Sequence, residues 1–397
     1  MAITELAKGV YWVGAIDWDV RNFHGYSTNR GTTYNAYLIV DEKITLVDCV
    51  RAPFFDEQVR RIAEIIDPTK IDYLIVNHVE MDHSGCLPKM MELVKPEKLF
   101  CSPMGQKAII DHFHREDWPF TVVKTGGELS LGKRKVQFLE TRMLHWPDSM
   151  FTYLQDEKIL FSSDAFGEHY ASSERFDDQV NLPVVMEHCA KYYANILYPY
   201  SPLVQKLLQT VAGLKLDIKM IAPDHGIIWR DKLNTIIGAY DTWSAGKSAD
   251  RAVVIFNTMW HSTEEMAYAV MRGLENAGVP VEPLNLEVCH RSDVMTEILG
   301  ARGVVLGSST INNGLLPEMA GFISYMKGLK PFNKIGAAFG SFGWSGEAVG
   351  ILTQVMTDLH FTLVDDPGVK HKYVPTRQAL DQCAALGKRV GEAIGKH

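Results

Sequence analysis

His78-Val79-Glu80-Met81-Asp82-His83 places four metal-binding side chains within six positions, directly after the apolar run Ile71–Asn77. In an extended segment residues i and i+2 share a face, so His78, Glu80 and Asp82 converge while His83 reaches a neighbouring position. That alternation offers ligands to two metal ions. A lone imidazole after a strand is ordinarily a core or surface histidine with one hydrogen bond, but four donors at this density are not explained that way. His78 opens the loop, and water takes its place if the ring turns away.

Three further donors each follow an apolar run: His145 after Val136–Leu144, Asp164 after Lys158–Ser163, and His225 after Lys219–Pro223. Strand ends gathered at one sheet edge are where α/β folds build sites. Tyr34–Val40 and Ile44–Val50 flank the polar turn Asp41-Glu42-Lys43 and read as a hairpin, and a helix is expected over Leu87–Val94. The first part is therefore an α/β domain of mixed sheet content.

The short polar stretch Trp243–Asp250 separates it from a second pattern. Strand-length runs Ala252–Phe256, Pro280–Asn285, Gly303–Leu306 and Lys334–Phe339 alternate with amphipathic, helix-length segments, which predicts a doubly wound parallel sheet. The expected domains are 1–248 and 249–397.

Three loops after those strands carry the second chemistry. The first, Thr258-Met259-Trp260-His261-Ser262-Thr263, is a hydroxyl-rich entry to a helix, suited to a phosphate. The second offers Ser308, Thr310, Asn312, Asn313 and Gly314, and the third Ser341, Phe342, Gly343, Trp344, Ser345 and Gly346. Small residues permit close backbone approach and Trp344 gives a stacking face, so the trio favours a flavin over three unrelated tight turns. No G-x-G-x-x-G follows the first strand, which selects FMN over a dinucleotide.

Composition closes off other classes. The 397 residues carry 40 Lys+Arg against 48 Asp+Glu, a net charge of −8, so neither nucleic acid nor an anionic membrane is the expected partner. The six cysteines form no C-x-x-C pair, no apolar run is long enough to span a bilayer, and the N-terminus lacks a signal-peptide core. A cytoplasmic protein is expected.

The ligand pattern resembles the metallo-β-lactamase superfamily, whose hydrolases carry H-x-H-x-D-H, then a His, a bridging Asp and a final His. This chain has Glu80 where they have the second His. The exchange brings in a hard anionic oxygen; an oxygen-rich N/O set without thiolate suits iron or manganese better than a closed zinc site, and the added negative charge stabilises ferric iron, so a di-iron pair is the leading reading. His78, Glu80 and His145 are then expected on one iron, Asp82, His83 and His225 on the other, with Asp164 bridging.

Together the two halves resemble the flavodiiron proteins, or A-type flavoproteins, over essentially the whole chain. The likeness includes Gly14–Trp18, Phe23–Tyr26, Glu140–Ser149, Ser172–Phe176, Tyr192–Asn195 and Gly340–Gly346. The first flavin loop departs from the usual flavodoxin pattern, with Trp260-His261 in place of a glycine. The resemblance implies a metallo-β-lactamase-like αββα sandwich followed by a flavodoxin-like domain, with two irons per chain and FMN. It also implies reduction of dioxygen to water, of nitric oxide to nitrous oxide, or both. The expected donor is a separate rubredoxin-type protein, and the expected assembly is a head-to-tail homodimer or a dimer of dimers. His24, Tyr26, Trp146 and Tyr193 are candidates for lining the gas pocket. The rival reading is a di-metal hydrolase whose metals activate water, which leaves the flavin loops without a purpose.

Overall fold

The computed structural model describes residues 3–395. Two compact units emerge, one comprising Met1–His24, Thr28–Tyr192 and Pro202–Asp241, the other Gly25–Ser27, Tyr193–Ser201 and Thr242–His397.

The first unit holds two facing sheets. Seven strands run in the order Thr4–Ala7, Val10–Trp12, Tyr37–Ile39, Thr45–Val47, Tyr73–Ile75, Lys98–Cys101 and Phe120–Val122. Pairing is antiparallel up to Thr45–Val47, including the expected hairpin, and parallel beyond it. The second sheet orders Glu128–Ser130, Lys135–Glu140, Met150–Leu154, Ile159–Phe161 and Met220–Ala222.

Alternation along each strand decides which core a side chain joins. Tyr37, Ile39, Tyr73 and Ile75 enter the core shared with Phe138, Met150, Leu154 and Phe161 of the second sheet. Leu38, Leu74 and Val76 point the other way, against Ile62, Leu87, Met90 and Ile109 of the covering helices. Three-residue strands are too short to stand alone. Burial on both faces, roughly 1.5–3 kcal/mol for each large apolar side chain, is what holds them.

The second unit is the expected parallel sheet, ordered Val281–Asn285, Ala249–Asn257, Ala301–Ser308, Ile335–Phe342 and Thr362–Leu363, with Val369–Lys372 also pairing with Ile335–Phe342. Helices Ser262–Asn276 and Arg377–Ile394 pack together on one face through Val270, Leu274, Leu386 and Val390. The two segments inserted from earlier in the chain are pinned by polar contacts. The Ser27 amide and hydroxyl meet Ser292 Oγ at 3.1 and 3.0 Å, and Asn195 Nδ2 donates to Ser292 O at 3.0 Å.

Lys334, 2% exposed, donates from Nζ to Ala301 O at 2.6 Å and Leu299 O at 3.2 Å. Burial, helped by Arg302 and Arg251, pulls its pKa down to about 7. Between that value and the 10.5 of the unfolded chain, the unfolded state binds more protons, so stability contributed here rises with pH. Wild type is therefore expected to gain stability relative to Lys334→Met as pH is raised from 7 toward 10, by at most about 1.4 kcal/mol per unit. Amide exchange of Ile335–Phe342 reads this, and parallel pH profiles for the two proteins would contradict it.

Candidate functional site

The metal-binding loop is not extended throughout. After the strand Tyr73–Ile75, Glu80 becomes the N-cap of a one-turn helix, Met81–Ser84. The i/i+2 pairing thus joins His78 only to Glu80. Asp82, which strict alternation alone would put on that face, groups with His83 and His225, the set given for the second metal, because a helical turn reorients successive side chains.

Two triads result, one of His78, Glu80 and His145 and one of Asp82, His83 and His225, while the buried Asp224 groups with His83 and Asp164. Glu80 Oε2 lies 3.3 Å from His78 Nε2 and 3.1 Å from His145 Nε2. Asp82 Oδ2 lies 3.3 Å from His83 Nε2 and 3.1 Å from His225 Nε2. Asp164 stands between them. Its Oδ2 is 3.0 Å from His145 Nε2 and 3.5 Å from His78 Nε2, and its Oδ1 is 3.1 Å from His83 Nε2 and 3.7 Å from His225 Nε2.

Asp82 Oδ1, His83 Nε2 and Asp164 Oδ1 are shut away from solvent without a hydrogen bond. Buried orphan donor atoms that converge on common points are what a cation satisfies. Burial disfavours protonated imidazoles, yet the carboxylates outweigh it, holding His83 up at about 9 and His78 and His145 above the usual histidine range. Against the same burial, these imidazoles keep Glu80 and Asp164 well below the usual carboxylate range. Protons and metal ions compete for the same lone pairs, so the site is built for cations in either form.

Above Glu80 sits His24, its side chain 75% exposed and its Nε2 3.2 Å from Glu80 Oε1. Phe23 lies 4.5 Å from the His24 ring and 4.8 Å from His169, and Trp146 stands edge-on to His78 at 5.3 Å. Two neighbours went unread in the sequence. His169, bonded through Nδ1 to Thr32 Oγ1 at 2.8 Å, lies 4.6 Å from the His225 ring, and Tyr192 lies 5.1 Å from His169. Tyr192 takes the place expected of Tyr193, whose hydroxyl meets Ser201 Oγ at 2.9 Å and whose ring faces Trp243. Helix Leu182–Tyr192 gives way to a wider π turn, Tyr193–Leu197, at this point, so the adjacent tyrosines diverge. Tyr26 is buried in the short strand Tyr26–Ser27 of the second unit.

In that second unit all three flavin loops border one cavity of about 400 Å³. Met259, Trp260, Ser262, Thr310, Asn312, Ser341, Phe342, Gly343 and Trp344 line it, with Ser309 and Ile311 of the same second loop and with Tyr373 and Val374, which the sequence reading lacked. Thr263 Oγ1 ties the loops together at 2.9 Å from Ser309 Oγ and 2.8 Å from Ser341 Oγ. The helix starting at Ser262 has no side-chain cap on its first amides, leaving them for an anion. Asn312 and Asn313, both at positive φ, form the turn of the hairpin closed by Gly314. A Cβ on Gly340 would collide with Ser308 O, so only glycine lets these strand ends approach. Thr258 and Ser308 are buried, His261 pairs with Glu264 Oε2 at 2.7 Å, and Ser345 and Gly346 are not among the lining residues. Trp260, Trp344 and Tyr373 are exposed aromatic rings at the rim.

Known proteins reproduce both halves. The family described as ODP family beta lactamase matches residues 32–226, and Flavodoxin matches residues 254–387. A "Nitric oxide reductase" of Moorella thermoacetica is 48% identical over 99% of this chain and 98% of its own length. A "Rubredoxin-oxygen oxidoreductase" of Megalodesulfovibrio gigas is 46% identical over 99% and 98%. The crystal structure of the flavodiiron protein from Giardia intestinalis superposes with a TM-score of 0.96 at 34% identity, covering 100% of this chain and 97% of the other. With a metallo-β-lactamase-like unit followed by a flavodoxin-like one, and likeness across its full length, the chain belongs to the flavodiiron protein family.

Proposed function

We propose that the protein is a flavodiiron oxidoreductase that reduces dioxygen to water, nitric oxide to nitrous oxide, or both. The observation that carries this reading is Asp164, whose two oxygens face two separate N/O triads, one of them containing Glu80 in place of an imidazole. His78, Glu80 and His145 would hold one iron and Asp82, His83 and His225 the other, with Asp164 shared. FMN would occupy the cavity of the second unit, its phosphate at the helix beginning with Ser262 and its ring system against the rim aromatics. When bound, these groups supply one-electron steps and a reservoir of electrons, four being needed to take dioxygen to two waters and two to couple two nitric oxide molecules.

The chain's own residues govern protons and access. Glu80 stays ionised and orients His24, whose exposed imidazole stands between solvent and this carboxylate. Burial pushes His169 well below the usual histidine range, so it is neutral and can donate or accept a hydrogen bond beside His225. Phe23, Trp146 and Tyr192 narrow the space around the carboxylates and exclude bulk water.

The names of the relatives support a rubredoxin-type donor and these gases as substrates. A head-to-tail homodimer or dimer of dimers is the proposed assembly, with 1–248 and 249–397 as the working domains. Six free cysteines, five of them buried, fit a reducing, cytoplasmic setting, and among the described residues no helix is long and apolar enough to cross a membrane. Consumption of each gas by the holoenzyme, with one rubredoxin-type donor, tests the reading. Turnover is expected with at least one gas, and inertness toward both would overturn it.

A further inference from the structure

The loop that carries His145 also steers His78. We infer that Asp148 is a positioning residue for the metal centre, fixing the His78 ring and tautomer so that Nε2 offers its lone pair to the metal shared with Glu80 and His145. This inference rests on the proposed metal-binding reading. The geometry leaves His78 little choice. Asp148 Oδ2 lies 2.9 Å from His78 Nδ1 and also accepts the Val79 amide at 2.7 Å. An ionised carboxylate can only accept, so Nδ1 carries a hydrogen whatever the state of the other nitrogen, and Nε2, facing Glu80 Oε2 and Asp164 Oδ2, is the nitrogen whose proton a metal ion would displace.

Asp148 is itself held rigidly. It is 2% exposed, and its backbone oxygen accepts Ser102 Oγ at 2.7 Å. Ser102 in turn caps the helix Pro103–Phe113 through the Gly105 amide at 2.9 Å. Trp146 closes the remaining side of the His78 ring at nearly a right angle.

The other triad is supported differently: His83 Nδ1 has the Asp224 carboxylate only at 3.9 Å, beyond hydrogen-bond reach. His225, in the other triad, places Nδ1 2.6 Å from the Thr33 carbonyl oxygen, a neutral acceptor. A carboxylate partner makes an imidazole the stronger donor, so the two metal positions differ electronically.

The test compares wild type, Asp148→Asn, His78→Ala, the double variant and Ser102→Ala as purified holoenzymes, following iron release to a ferrous chelator together with ferric Mössbauer spectra. In Asp148→Asn one iron is expected to leave about 10–100-fold faster while the other keeps its rate, and one of two quadrupole doublets is expected to shift. Adding Asp148→Asn to His78→Ala should change release by less than about twofold, because the effect runs through His78. Ser102→Ala loosens the same loop and lowers the melting temperature, but should leave release near the wild-type rate. Unchanged release in Asp148→Asn, a further acceleration in the His78→Ala background, or equal acceleration by Ser102→Ala would each overturn the inference while leaving the metal centre standing. Wild-type protein that binds no iron would overturn the underlying reading instead.

Discussion

Asp164→Ala is expected to empty both halves of the metal centre at once, with iron falling from two per chain to near zero. Every imidazole of the cluster has its Nε2 within 3.7 Å of one or other oxygen of this carboxylate. Removing it takes away the shared anion and leaves four imidazoles, three of them buried, facing one another across the gap, an arrangement that favours neither protons nor metal ions. Gas turnover should fall by at least about a thousandfold, since the metals supply the electron transfer at the site. FMN should stay at one per chain, because its cavity is built by the hydroxyl-tied loops of the second unit. Metal analysis, flavin absorption and gas-consumption rates on one preparation read all three. Full iron with turnover within tenfold of wild type would contradict the assignment of Asp164.

Glu80→His tests the feature that separates this chain from the hydrolases its first unit resembles. Glu80 contributes the only carboxylate of its triad besides the shared Asp164, and its second oxygen anchors His24. The exchange removes one negative charge and substitutes a borderline nitrogen for a hard oxygen, which weakens the preference for ferric iron. With both metals supplied in equal amounts, the variant is expected to take up zinc where wild type takes iron. Turnover should drop by at least about a hundredfold, and the flavin should still be reducible by its donor. A variant that kept its iron and its rate would show that the carboxylate at this position is not what selects the metal.

The site was more legible than its surroundings, for physical reasons. Metal ligands must be dense and must sit at strand ends, so the candidates His78, Glu80, Asp82, His83, His145, Asp164 and His225 were marked by spacing, and these side chains cluster in the fold. Which ligands share a triad was less visible to alternation, because the loop turns helical at Met81–Ser84 and carries Asp82 to the side of His83. The pocket wall was harder still. His169 is a single imidazole in irregular chain, with no periodicity to mark it. Choosing Tyr192 over Tyr193 required knowing where a helix widens into a π turn.

The parallel sheet of the second unit followed from four apolar runs, but the pairing of Val369–Lys372 did not. Its alternating lysines hide a strand only half buried, and Tyr373 and Val374, which complete the flavin cavity, come directly after it. The segments Gly25–Ser27 and Tyr193–Ser201 belong to the second unit through contacts with Ser292, a long-range pairing that no local pattern carries.

The most direct measurement is quantitative metal and flavin analysis of freshly purified wild-type protein. The account predicts iron at two per chain, FMN at one, and no stoichiometric zinc. Zinc filling the site, or an absence of iron from flavin-replete protein, would contradict it.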